Sequence, residues 1–288
     1  MEQQVMNIRR LTLQDYDALH AMQTGIEDDY VVRIFDRLVT SDVHELFGLF
    51  RNGHMLSVGG YSLFAEGRFA MLGRLRSDHR YLGQGMATEL LSPIIEDLKQ
   101  RPEVAWIGAN THVHNSSARR VLEKIGVQQG PQLHYLILTE PDKLNATPGA
   151  VWEPVQELTK KRALLRSLHQ NALGVFPYEC YYPFPFDDAL FTDAYLQTCS
   201  FYQSPDQQRF VVIQNDQKKY QYAHVKYFWN DHYEQPGFFE TLRDHWQHNP
   251  DNVGCWIDFS PEGYQNIQDL TPYEVKDPWV LYGMLKQA

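Results

Sequence analysis

Residues 68–98 constrain the fold more than any other stretch of this chain. A strand-like run, RFAMLGRLRS, leads into a glycine-rich turn, RYLGQGMA, and then into a long amphipathic helix. The helix is read from Met86, Leu90, Leu91, Ile94, Ile95 and Leu98, which fall on one face at steps of three and four. Between a strand and a helix, Gly83-Gln84-Gly85 aims successive backbone N–H groups and the positive end of the helix dipole at one small volume. Glycine lets the backbone approach an anion without a Cβ in the way. A glycine pair alone serves many tight turns. In this setting it makes a cradle, and a pyrophosphate is its natural occupant.

The surrounding pattern reads β, α, α, β, β, β, α, β, α, β through residues 5–140. Residues 5–12 alternate as an opening strand, and Thr12, three residues before Asp15, reads as a helix N-cap. Leu19, Met22 and Ile26 continue at helical spacing, with a second helical segment over 32–38. Two strand-like runs flank Asn52-Gly53, a strong hairpin signal. After the amphipathic helix come a strand over 104–112, a helix over 116–125 and a final strand over 132–140. Residues 141–154 hold three prolines and few apolar positions, so a linker is expected there.

Two segments then carry a family resemblance: YLGQGMATELL, residues 81–91, and NSSARRVLEKIGV, residues 115–127. Together they resemble the cofactor motifs of the GNAT acetyltransferases. That signature is Arg/Gln-x-x-Gly-x-Gly/Ala, followed after the next strand by Asn-x-x-Ala and a helix ending Glu-Lys-x-Gly-Phe. The resemblance covers roughly residues 5–140. It implies an α+β fold with a central mixed, twisted sheet flanked by helices, and acetyl-CoA as co-substrate. It further implies that Leu82, Gly83, Gln84, Gly85, Met86, Ala87 and Thr88 line the pyrophosphate. The end of the fourth strand, Leu75, Arg76 and Ser77, would pair with the pantetheine arm through its backbone. Asn115 would hold that arm from the other side. Arg80, Arg119 and Lys124 are candidates for the cofactor phosphates, or else solvated helix charges.

The chain departs from the family pattern at two places. With Gly85 and Ala87 as the paired small residues, Leu82 stands where relatives have Arg or Gln. Arg80, Gly83 and Gly85 meet the pattern two residues earlier, with a poorer fit to the strand–helix junction. Leu122 stands where many relatives have a tyrosine that protonates the departing thiolate. An attacking amine with pKa near 10.4 is mostly protonated at pH 7, and losing that proton costs about 4–5 kcal/mol. A base is therefore useful, yet the fourth strand offers no carboxylate. His112 and His114 have a suitable intrinsic pKa, and Tyr135 is a proton-donor candidate; each reads equally as a loop, surface or core residue. As an HxH pair the histidines lack a third metal ligand, so no metal is expected.

The second half repeats the order of the first. TLRDHWQHNPDNVGCWIDF parallels IIEDLKQRPEVAWIGA, each running from helix through proline to a Trp-Ile strand. RFVVIQNDQKKYQYAHVKYF parallels the Asn52-Gly53 hairpin, with Asn215-Asp216 at its turn, and DPWVLYGMLK parallels QLHYLILTE. The fourth strand, the glycine turn and the Asn-x-x-Ala motif find no counterpart there. The expected organisation is two tandem GNAT-like domains: 1–142 with the acetyl-CoA site, and 150–288, degenerate and without it. On this reading, deleting residues 150–288 harms acceptor use more than CoA binding, provided the first half stays folded.

Composition narrows the partners. The net charge of −10 is concentrated in the second half: residues 1–140 carry 14 Lys+Arg against 17 Asp+Glu, and residues 141–288 carry 12 against 19. Such a chain repels phosphate backbones, so nucleic acid is a poor partner. The second half holds 12 of the 17 tyrosines, which build either a core or an aromatic, acidic wall for a cationic amine. No apolar run approaches a membrane span of about 18 residues, and the first residues carry no secretory pattern. Cys180, Cys199 and Cys255 form no CxxC pair and read as buried thiols in a reducing cytoplasm. The function expected is transfer of an acetyl group to a primary amine of a small molecule or peptide by direct attack. The alternative is a non-catalytic acyl-CoA sensor or interaction protein. An oligomer is compatible with either.

Overall fold

The computed structural model describes residues 6–285. Val5 and Lys286, expected at the ends of the first and last strands, lie outside the described residues. The chain divides into two compact units, the first built from residues 6–111, 115–130 and 282–285 and the second from 112–114 and 131–281. This division differs from the expected one. The stretch 141–154 lies within the second unit, and Trp152 is only 1% exposed.

The first unit starts with β1 (Met6–Arg10) and the short helices α1 (Tyr16–His20), α2 (Tyr30–Arg33) and α3 (Phe35–Val39). The single helix expected over 32–38 is two, broken at Ile34, whose φ of −110° and ψ of 18° leave the helical region. Then come β2 (His44–Arg51), β3 (His54–Phe64), β4 (Phe69–Ser77), α4 (Met86–Gln100), β5 (Trp106–His112) and α5 (Ser116–Lys124). Strands β1 to β4 form an antiparallel meander, and β5 joins β4 in parallel after the α4 crossover. The β2–β3 turn is the expected Asn52-Gly53, with φ of 51° and 79°, the left-handed pair that a tight hairpin requires. Leu19, Val31, Phe35 and Leu38 from α1–α3 cover one face with Leu46 and Val58. The predicted face of α4 is buried at every one of its six apolar positions.

The second unit contains β6 (Gln128–Leu138), β7 (Glu153–Val155), α6 (Leu158–Arg166), β8 (Phe176–Glu179), β9 (Tyr182–Phe184), α7 (Asp193–Thr198) and β10 (Cys199–Gln203). It continues with β11 (Phe210–Gln217), β12 (Gln221–Lys226), α8 (Phe238–His248), β13 (Asn252–Phe259), α9 (Pro261–Gln265), β14 (Tyr273–Val275) and the start of β15 (Trp279–Leu285). Its strand order is β6-β13-β12-β11-β10-β7. Only β12–β13 is parallel, again across a helix. The run β7, β10, β11, β12, α8, β13, α9 therefore follows the order of β1, β2, β3, β4, α4, β5, α5.

This topology corrects the expected alignment of the halves by one strand. The hairpin β11–β12 corresponds to β3–β4, so the fourth strand is present, as β12. Its turn lies at 218–220, because Asn215 and Asp216 are within β11. Asp216 is buried there and accepts a hydrogen bond from Cys180 N at 2.7 Å.

Last strands are exchanged between the halves. β6, expected to finish the first half, pairs with β13. The end of β15, expected to finish the second, belongs to the first unit beside β5. Close packing holds it there: an added Cβ on Gly108 would lie 2.3 Å from the Tyr282 carbonyl oxygen. All three cysteines are buried and free, as expected. No helix among the described residues is long and apolar enough to cross a membrane.

Candidate active site

The first unit opens between β4 and β5. The two strands pair in parallel only from Phe69↔Trp106 to Leu72↔Ala109, yet β4 runs on to Ser77 and β5 to His112. On its other edge β4 stays paired to β3 as far as Ser57↔Ser77, with a bulge opposite Val58–Gly60. The stretch 73–77 is thus held from one side and presents its other backbone edge for an extended amide chain, as an added strand would use it.

From Ser77 the chain enters a short turn closed by Asp78, whose side chain is 0% exposed. Its Oδ1 accepts from Arg80 N at 2.9 Å and Arg80 Nε at 2.8 Å, and its Oδ2 accepts from Gln23 N at 3.2 Å. The Arg80 guanidinium holds this carboxyl well below the usual carboxylate range. Asp78 therefore fixes the approach to the glycine turn, a role for which the sequence offers no motif. Gly83 and Gly85 follow with φ of 77° and 82°. Gly85 is the N-cap of α4 and has no side chain to cap it, so the N–H groups of Met86, Ala87 and Thr88 lack intrahelical partners. A Cβ at either glycine would meet no atom within 4 Å. The turn read as a pyrophosphate cradle is open, with Leu82 and Gln84 exposed at its rim.

The corresponding place in the second unit is closed. Gly237 caps α8 with a φ of 80°, nearly the geometry of Gly85. Yet a Cβ on Gly237 would lie 1.9 Å from the Ala150 carbonyl oxygen, and one on Gly149 would lie 2.5 Å from Gly237 N. Trp152 pins this segment by donating its N–H to Thr241 Oγ1 at 2.9 Å and its indole N–H to the Pro236 carbonyl at 2.8 Å. The expected linker is instead a plug in the second helix N-terminus. Gly237→Ala should therefore destabilise the protein by about 3 kcal/mol or more, combining left-handed strain with a backbone clash. Gly85→Ala, with strain alone, should cost about 1–2 kcal/mol. Urea denaturation of both variants checks this; equal losses would show that the plug is not tightly seated.

The other anticipated side chains divide between the units. Arg76 is turned to Asp29, at 2.7 and 2.9 Å, so this strand end offers its backbone and not its charge. Arg80 is likewise committed to Asp78. Asn115 caps α5, its Oδ1 accepting from Ala118 N at 3.1 Å. Arg119 donates to the Tyr282 hydroxyl at 3.1 Å and to Gln129 Oε1 at 3.0 Å, which makes it a brace for the returning C-terminal strand. Leu122 is buried in the core. His112, His114 and Tyr135 all fall in the second unit and not in the one that holds the cradle. His112 packs on Trp279, centroids 4.1 Å apart, and its buried Nδ1 has no hydrogen-bond partner. His114 is exposed. Tyr135 stacks on Trp256 at 4.1 Å and 6°, and burial pushes its phenol up.

Comparison with known proteins agrees with this fold. Residues 6–128 match the family model described as an acetyltransferase (GNAT) domain. Three solved structures share the fold over nearly the whole chain. A GCN5-related N-acetyltransferase from Sphaerobacter thermophilus has 14% identity, covers 98% of this chain and 96% of its own, and gives a TM-score of 0.59. A protein from Thermoplasma acidophilum, named as an acetyltransferase, has 14% identity over 97% of this chain and 99% of its own, with a TM-score of 0.58. Another so named, from Pyrococcus horikoshii, has 10% identity over 100% and 92%, with a TM-score of 0.56. No curated protein matches in sequence. At these identities the structures speak for the fold alone.

Proposed function

We propose that this chain, whose residues 6–128 make up a GNAT acetyltransferase domain, transfers an acetyl group from acetyl-CoA directly to a primary amine, with one cofactor site per chain. The observation that carries the reading is the contrast between two equivalent helix N-termini. That of α4 is open at Gly85, and that of α8 is filled by Gly149 and Ala150. In the open site, the N–H groups of Met86, Ala87 and Thr88 and the dipole of the 15-residue α4 hold the pyrophosphate. The free backbone edge of Leu75–Ser77 aligns the pantetheine arm along β4. Acetyl-CoA supplies the activated acetyl group. His112 and His114 are the chain's candidates for taking the amine's proton, and Tyr135, its phenol pushed up, for giving one. Leu82 stands at the rim without the cationic or amide side chain of relatives, which leaves the phosphate contacts to the backbone.

A second reading, an acyl-CoA sensor, is favoured by Leu122, whose buried side chain brings no hydroxyl to the site. Calorimetry with CoA and a turnover assay over a panel of primary amines, following release of the CoA thiol, separate the two. One CoA equivalent with turnover of at least one amine is expected. Two equivalents would overturn the single-site reading, and binding without any turnover would favour the sensor.

A further inference from the structure

The bulge in β4 places a cation where the transfer reaction would need a handle on its acceptor. Arg74 sits in this bulge with φ of 59°, a left-handed conformation that a non-glycine residue adopts at a cost. Arg76, two residues on, finds a carboxylate in Asp29 at 2.7 Å. Arg74 has no such partner among the described residues. Its Nη1 donates to Ser62 Oγ at 2.8 Å, and its Nε is buried with no hydrogen-bond partner. Ser62 Oγ, already accepting from Arg74, also lies 2.9 Å from His44 Nδ1. Burial first, then Arg74 and Arg37, lowers the His44 pKa to about 4. There is also room: a Cβ on the adjacent Gly73 would meet no atom within 4 Å.

A partly buried guanidinium with an unused donor and open space beside it is suited to an anion. We infer that Arg74, held by Ser62, binds a carboxylate of the amine acceptor, so that the preferred acceptors are amino acids or peptides presenting a carboxylate. This rests on the proposed transferase reading. An arm that lies along β4 from the glycine turn past Ser77 and Leu75 brings its reactive end toward Gly73 and Arg74. The strain at Arg74 then has a function, since the left-handed residue turns the guanidinium back along the strand toward Ser62 on β3.

The test uses the full-length, CoA-loaded protein and does not depend on turnover alone. Titration calorimetry with N-acetylglycine and N-acetylalanine, against their C-terminal amides, reads the anion site directly. Binding of the carboxylates is expected to be about 10- to 100-fold tighter than that of the amides. Arg74→Gln should abolish the difference without changing CoA affinity. Arg74→Gly relieves the backbone strain, so it should melt no lower than wild type while losing the same preference; a structural role would predict the reverse. In turnover, amino acids should show a correspondingly lower KM than their amides. Inorganic phosphate competing with N-acetylglycine as well as acetate does would show a general anion site and overturn the carboxylate assignment. Equal binding of acids and amides, or binding of neither, would overturn the proposal. If amines are acetylated with no regard to the carboxylate, the transferase reading stands and the anion site falls. If carboxylates bind at Arg74 and no amine is acetylated, the transferase reading falls instead.

Discussion

Cut after residue 145, the chain is expected to lose its cooperative fold, and CoA binding with it. The first unit includes residues 282–285, and these are not ornament. Tyr282 is fully buried, with its hydroxyl 3.1 Å from Arg119 Nε and 3.3 Å from Glu123 Oε1 on α5. Gly283 packs so closely that an added Cβ would lie 2.6 Å from Trp106 Nε1. A fragment lacking them exposes the edge of β5, removes the Tyr282 hydroxyl from Arg119 and opens a cavity the size of a tyrosine. Losses from an aromatic cavity alone reach about 3–5 kcal/mol, which is a large share of a domain's stability. Circular dichroism melts and CoA calorimetry on the 1–145 fragment provide the check. A soluble fragment with a sharp transition and native CoA affinity would show that the returning strand is dispensable. For the same reason, deleting residues 150–288 does not isolate the role of the second half in acceptor use, as the sequence had implied it would.

Gly85→Glu should raise the CoA Kd by about 100-fold or more while the protein stays folded. The side chain has space, since no atom lies within 4 Å of the Cβ position, so the folding cost is confined to the φ of 82°. That strain is worth about 1–2 kcal/mol, or a fall of several degrees in Tm for a chain of this size. Binding suffers far more. A carboxylate would stand at the N-terminus of α4, where the N–H groups of Met86–Thr88 and the helix dipole would otherwise face phosphate. Its own hydrogen bonds to those amides would fill the cradle. Native CoA affinity in a folded Gly85→Glu protein would mean that the phosphates bind elsewhere.

What was legible beforehand was local. The apolar spacing of α4, the strand–glycine–helix junction and the Asn52-Gly53 turn depend on periods of two and 3.6 and on φ preferences, which neighbouring residues set among themselves. Together they pointed to the glycine turn as the candidate cradle, and the order of elements pointed to two similarly ordered halves. The misplaced turn at 215–216 shows the limit of such signals. Asn-Asp is a good turn pair, but Asp216 gains more from Cys180 N and Lys218 inside the sheet. Likewise, the sequence read Arg119 as a phosphate candidate and gave Arg76 no ion partner, because a sequence shows charges without their partners. Asp29 lies 47 residues from Arg76, and Tyr282 lies 163 from Arg119.

By itself, then, the sequence determined the class of fold and the residues of the glycine turn. Tertiary structure decided which strand completes which sheet, because β6 and β15 have similar apolar patterns and either could satisfy the edge of β5 or β13. It decided that 149–152 plugs a helix N-terminus instead of spanning a gap, through contacts so close that only glycine fits at both positions. It also left Arg74 without a carboxylate partner among the described residues. Each of these outcomes depends on which distant groups arrive within about 3 Å of one another, the range over which hydrogen bonds and steric clashes act, and no local pattern of residues encodes that distance.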